Sequence, residues 1–227
     1  MRLTSMLTVG VDEAGRGCAI GPLVIAGVAM KADSLGSLSE IGVKDSKLLT
    51  VKRREQLYRE IKNLTSAITV FKIQPKSIDS VVNRGVRLKR LNYLEAIAMA
   101  KVIRDLKPDE AYVDASDVNE KRYAKIISKV LKIKPKLICE HKADLNYPIV
   151  SAASIIAKVE RDESIAKLHQ IFGDFGSGYC HDNVTINWLE NFFKENDTHQ
   201  DFIRYSWAPV KRMISLRHQR KLDTTRA

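Results

Sequence analysis

Two apolar segments of this chain run directly into acids: Leu7–Val11 into Asp12 and Glu13, and Ala111–Val113 into Asp114. Each segment is short, apolar and partly β-branched, which is the pattern of a buried strand. Acids at strand ends gather along one edge of a sheet, so this feature limits the possible folds sharply. A further acid, Asp144, stands a few residues ahead of the small, apolar run SAASIIA. Carboxylates buried side by side repel one another unless a cation neutralises them. Hard cations such as Mg²⁺ or Mn²⁺ take oxygen ligands of this kind. Singly, each acid reads as well as a cap on a turn or helix. Jointly, in a basic chain, they point to a metal-bearing edge.

Adjacent strand residues point to opposite faces. Asp12 and Glu13 therefore serve one metal only if the strand bends at the glycines that follow, or if Glu13 contributes from the side or through its carbonyl. Asp12 is then the central, shared ligand. The loop EAGRG (Glu13–Gly17) has a role of its own. Its glycines let main-chain amides and the Arg16 guanidinium approach one sugar-phosphate, or they serve only a tight turn.

The other elements follow from periodicity and turn residues. Leu23–Met30 is a second strand, joined to the first through Gly15, Gly17, Gly21 and Pro22. A helix over Val51–Leu64 precedes a strand over Ala67–Ile73 that stops before Pro75. Helices are expected over Leu88–Leu106, Tyr123–Leu131, Val150–Phe172 and Thr185–Phe193, the last capped by Asp182 or Asn183. A short strand covers Leu137–Cys139, and Pro209 starts a final helix. Consecutive strands followed by strand–helix alternation predict an α/β fold with a mixed sheet, antiparallel first and parallel later. One domain over residues 1–200 and a basic, helical extension over 201–227 result.

Charge narrows the partner. Lys and Arg number 38 against 27 Asp and Glu, a net +11. Seven basic residues lie between Phe202 and Ala227 (Arg204, Lys211, Arg212, Arg217, Arg220, Lys221, Arg226) against one acid, Asp223, which is +6 in that stretch. A polyanion is the expected partner. The uncharged run Gly17–Met30 is shorter than the ~18 residues of a membrane span. The cysteines (Cys18, Cys139, Cys180) lie far apart, against a disulfide framework or a zinc site and in favour of a reducing, cytoplasmic setting. No G-x-x-x-x-G-K-[ST] occurs, which disfavours a P-loop enzyme.

The segments VGVDEAGRG, GPLVIAGV, KDSKLL, YVDA, KAD with YPIVSAASIIAKVERD, and GSGY resemble ribonuclease HII (type 2 ribonuclease H), in its archaeal branch, in order from Val9 to Tyr179. The resemblance implies a ribonuclease H-like fold with a five-stranded mixed sheet flanked by helices. It implies an endonuclease for RNA–DNA hybrids and for DNA duplexes containing ribonucleotides, cutting 5′ of the ribonucleotide, with a place in DNA replication and repair. Two Mg²⁺ or Mn²⁺ ions would be held by Asp12, Glu13, Asp114 and Asp144. Gly15, Arg16 and Gly17 would recognise the 2′-hydroxyl, and Tyr179 would pack on the following deoxyribose. Lys47, Ser151, Ser154 and Lys158 match positions near the substrate backbone. A monomer is implied, and no clear sliding-clamp motif is found near the C-terminus. One departure is visible: GSGY continues as Cys180-His181-Asp182 where the archaeal pattern has Pro-Ser-Asp. The competing readings are a non-catalytic basic nucleic-acid-binding protein and a sheet-based nuclease that cuts DNA without needing ribose.

Overall fold

The computed structural model describes residues 6–43, 49–84, 87–196 and 198–225. Strands β1 (Leu7–Ala14), β2 (Leu23–Lys31) and β3 (Ala67–Ile73) form an antiparallel meander. β4 (Glu110–Asp114) lies parallel to β1, and β5 (Lys136–Glu140) parallel to β4. The resulting order is β3-β2-β1-β4-β5, the mixed sheet expected. The helices are α1 (Gly36–Glu40), α2 (Val51–Leu64), α3 (Pro75–Val82), α4 (Arg87–Leu106), α5 (Glu120–Val130), α6 (Ala143–Asn146), α7 (Pro148–Phe172), α8 (Asn183–Glu195) and α9 (Ala208–Thr225).

Two differences from expectation have clear causes. β1 does not end at Val11 but continues through both acids to Ala14, because β2 pairs with it over its whole length. Pro75 does more than stop β3. It takes the first helical position of α3, where its missing N–H costs nothing. The cap of α8 is Asp182, whose Oδ1 accepts the Val184 amide at 2.9 Å.

The sheet buries both faces. Val9, Val11, Leu23 and Ile25 point to one side, into a core closed by α3, α4 and α5. Val24, Ala26 and Val28 point to the other, against α2 and α7. The first turns of α7 carry Ser151, Ala152, Ala153 and Ser154, all buried. Their small side chains let the helix lie close on β1. At Gly10 the approach is closest, since a Cβ there would sit 2.3 Å from the Ile149 carbonyl carbon. A third core joins Ile20, Ile165, Phe175, Leu189, Phe193, Ile203 and Val210. The start of α9 is thus built into the body of the protein. Among the described residues, no helix is long and apolar enough to cross a membrane.

Candidate active site

β1 and β4 lie side by side and run the same way, with Val11 opposite Val113. Asp12 and Asp114 are therefore neighbours at the carboxyl ends of two parallel strands. Alternation decides their faces. Val11 and Val113 belong to the core under α4, so Asp12 and Asp114 turn the other way, toward α7 and α6. Glu13 shares the α4 face. The strand does not bend at the glycines, so Glu13 does not swing round to the side of Asp12.

Asp114 Oδ1 accepts the Ala143 amide at 2.9 Å. That bond holds the start of α6, whose second residue is the buried Asp144. Lys142, just before it, has φ of 57°, an uncommon conformation for a residue with a Cβ.

Asp12 is supported from two sides. The Glu13 amide donates to its Oδ1 at 2.7 Å. From α7, Ser154 hydrogen-bonds it and the Lys158 charge favours its ionised form. Lys158 Nζ donates in turn to Ser154 Oγ at 2.8 Å, one helical turn back. Burial, helped by the Asp114 charge, nevertheless pushes the Asp12 carboxyl up to about 7. Glu13 is also held well above the usual range, by burial first and then by the charges of Asp12, Glu95 and Asp114, against the pull of Arg16. Its Oε2 is buried with no hydrogen-bond partner among the described residues. Among those residues, no group of three or more His, Cys, Asp and Glu side chains could hold a metal ion as it stands.

The glycine loop lies beside this edge. Gly15 has φ of +85°, and a Cβ there would meet the Pro22 oxygen at 2.7 Å, so glycine is required. Arg16 Nε donates to both oxygens of Glu95, at 2.8 and 3.1 Å, and its Nη2 donates to Asn92 Oδ1. Ser116 donates to Glu95 Oε2 at 2.9 Å. Asn92 donates to Asp117 at 3.1 Å, and Arg122 pairs with Asp117. The guanidinium is thereby anchored on α4.

Tyr179 is adjacent to the same loop. A Cβ on the exposed Gly17 would touch its Cδ1 at 3.9 Å, and Cys18 and Tyr179 form an antiparallel bridge. Arg161 stacks 4.5 Å from the Tyr179 ring centroid and donates to Cys18 Sγ at 3.0 Å and to the Ser177 carbonyl. The turn lacks proline, and Asp182 ties it to Ser177. Its Oδ2 accepts the Ser177 amide and hydroxyl, both at 2.6 Å, and these bonds lower its carboxyl to about 2.

The expected residues thus divide. Asp12, Asp114, Ser154 and Lys158 share one face of the edge, with Asp144 on α6 beside it. Glu13, Arg16 and Glu95 meet on the other face. Ser151 is fully buried and donates its hydroxyl to the Val43 carbonyl, holding the chain just ahead of residue 44. Lys47 lies outside the described residues. Glu95, Asn92 and Arg161 go beyond the expected residues, and Arg204, counted among the cations of the tail, is fully buried instead. Glu95 left a trace: it stands one turn after Leu91 in an otherwise apolar helix stripe.

The family model for ribonuclease HII matches residues 9–210. The chain is 44% identical over 204 residues to ribonuclease HII of Pyrococcus furiosus, covering 90% of this chain and 89% of that one. The crystal structure of ribonuclease H2 from Pyrococcus horikoshii is similar with a TM-score of 0.87 at 41% identity, covering 94% of this chain and 100% of that one. A PCNA–ribonuclease HII complex from Archaeoglobus fulgidus is similar at 0.81 and 40%, covering 89% and 95%. The sheet order and the likeness to the Pyrococcus horikoshii crystal structure define the ribonuclease H-like fold, and the family match makes the chain a nucleic-acid hydrolase. Within that class the chain belongs to the ribonuclease HII family and is an endonuclease of RNA–DNA hybrids. The reading as a non-catalytic binding protein is thereby set aside.

Proposed function

We propose that this enzyme cuts on the 5′ side of a ribonucleotide, in hybrids and in duplex DNA with embedded ribonucleotides, using two Mg²⁺ or Mn²⁺ ions held by the Asp12, Asp114 and Asp144 side chains, with Glu13 contributing through its main-chain carbonyl. The observation that carries this reading is the side-by-side placement of the buried Asp12 and the half-buried Asp114 at parallel strand ends. Two adjacent carboxylates, one of them buried, favour a cation or a proton between them. The donor set fits a hard divalent ion, because every candidate ligand is oxygen. The scissile phosphate would complete the set. Bound there, the ions supply charge neutralisation at phosphorus and a water of lowered pKa.

The chain's own groups do the rest. Ser154 and Lys158 hold Asp12 from α7. Arg16 and the amides of the glycine loop meet the sugar-phosphate, where the 2′-hydroxyl alone separates RNA from DNA locally. Tyr179, fixed by Arg161, packs on the next sugar. Ser151 serves by holding Val43, and Lys47 follows as a backbone contact. Hydrolysis forms a bond from water oxygen to phosphorus and breaks the bond from phosphorus to O3′. The products carry a 3′-hydroxyl and a 5′-phosphate. The test is cleavage-site mapping on a duplex with one embedded ribonucleotide, with Mn²⁺ or with EDTA, beside an all-DNA control. A cut on the 3′ side, cutting in EDTA, or cutting of the control would sink this reading.

The raised Asp12 carboxyl gives a stability prediction with a definite sign. Its unfolded value is about 4 and its folded value about 7. Folding without metal therefore takes up a proton in that window, and this contribution to stability falls as pH rises from about 4 to about 7. In EDTA the melting temperature should drop across the window more steeply than that of Asp12→Asn, and Mg²⁺ should restore it. Equal slopes for the two proteins would count against the shift.

The basic C-terminal helix is proposed to contact duplex phosphates. Cutting it off at Pro209 is a poor test, because Val210 is buried and Met213 and Ile214 pack on the third core. Replacing Arg212, Arg220 and Lys221 with Gln is cleaner. If each meets a phosphate, the slope of log K against log salt should weaken by up to about 2.7. An unchanged slope would show that the helix is not a binding arm.

A further inference from the structure

Arg204 is fully buried, far along the chain from the catalytic edge. Its guanidinium lies 4.9 Å from the Trp207 ring centroid and donates its hydrogen bonds to main-chain carbonyls. Nη2 donates to the Gly15 oxygen at 2.7 Å, Nη1 to the Arg16 oxygen at 2.9 Å, and Nε and Nη2 to the Gly21 oxygen at 3.1 and 3.0 Å. Burial lowers its pKa only to about 10, so it stays charged at neutral pH. Asp79, whose charge it feels, has its own oxygens engaged by the Tyr205 and Ser206 amides, at 2.8 and 2.9 Å. Those two bonds fix the segment that carries Arg204 to α3. The segment is also laced to the loop's far end: the Arg204 amide donates to Ala19, and the Gly21 amide to Phe202, both at 2.8 Å.

We propose that Arg204 is the positioning residue of the Gly15–Gly17 loop, turning its amides toward the substrate. The physical reason is peptide planarity. In a trans peptide the C=O and the following N–H point in opposite directions, and no peptide among the described residues is cis. The Gly15 carbonyl shares its plane with the Arg16 amide, and the Arg16 carbonyl shares its plane with the Gly17 amide. Drawing both carbonyls onto one buried cation therefore turns both amides away from it. Among the described residues neither amide donates a main-chain hydrogen bond. The buried charge also polarises these peptide units and strengthens their outward donors. Arg16 thus has two anchors: Glu95 and Asn92 hold its side chain, and Arg204 holds its backbone.

This inference rests on the reading that the loop contacts the sugar-phosphate, and the test separates the two. Arg204→Lys and Arg204→Gln keep a donor but reach fewer carbonyls. Each should raise KM for an RNA–DNA hybrid by about tenfold or more, as misplaced binding groups do, with kcat within about threefold and a cooperative melt. A residue needed only for folding would lower the active fraction, hence apparent kcat, without moving KM. Arg16→Ala is the companion, expected to raise KM as well. If Arg16→Ala raises KM and the folded Arg204 variants do not, positioning by Arg204 is wrong. If none of them moves KM, the loop reading itself fails and takes the proposal with it. Should neither Arg204 variant fold, Asp79→Asn carries the test, since it loosens the segment without removing the cation. A several-fold rise in KM supports the assignment, and an unchanged KM overturns it.

Discussion

Asp12→Asn should lower turnover on an RNA–DNA hybrid by at least about a thousandfold, the equivalent of roughly 4 kcal/mol of transition-state stabilisation. The change is nearly isosteric. It removes the carboxylate charge that lies beside Asp114 and is supported by Ser154, Lys158 and the Glu13 amide. The fold should survive and even gain in the metal-free state, because a costly buried charge disappears. Loss of activity and loss of structure therefore separate in a single variant. Turnover and melting temperature, measured on the same preparation with Mg²⁺ and with EDTA, decide it. Activity within tenfold of the parent would remove Asp12 from the centre of the scheme.

Gly10→Ala should have the opposite profile, a loss of stability exceeding about 3 kcal/mol, toward the upper end of overpacking costs. A Cβ on Gly10 would lie 2.3 Å from both the carbonyl carbon and oxygen of Ile149, and 2.6 Å from the Val150 nitrogen. These are main-chain atoms of the first turn of α7, so no rotamer change relieves the clash and the helix must lift. Lifting α7 also carries Ser154 and Lys158 away from Asp12, so any folded remainder should be slow. Gly36→Ala is the control, since a Cβ there meets nothing within 4 Å. A urea midpoint for Gly10→Ala equal to that of the parent would mean that α7 is not seated as described.

Much of this was legible in the sequence, and the limits have physical causes. Val51–Leu64 and Ala67–Ile73 were read to the residue because periodicity and turn residues agree there. Asp12, Glu13 and Asp114 stand out because strand ends converge wherever a sheet forms, and Asp144 because it precedes the small, apolar start of α7. α3 was missed because eight residues after a proline hold too little periodicity to register. Arg161 and Arg204 look like ordinary surface cations in sequence, and only tertiary contacts reveal them as buried. Glu95 and Arg16 are 79 positions apart, so no local pattern could pair them. The choice of faces for Asp12 and Glu13 turned on whether the strand bends, which β2 pairing decides and the sequence leaves open.

The bonds from Arg204 to Gly15 and Gly21 span 189 and 183 residues. Contacts this distant in sequence close late, after the intervening loop entropy has been met. During synthesis the strands that carry Asp12 and Asp114 emerge long before Arg204 does. A nascent chain stalled near residue 200 would have the acids in place while its recognition loop still lacked the cation beneath it. On the reading proposed above, contact of the loop with ribose would then await the docking of the last stretch of chain.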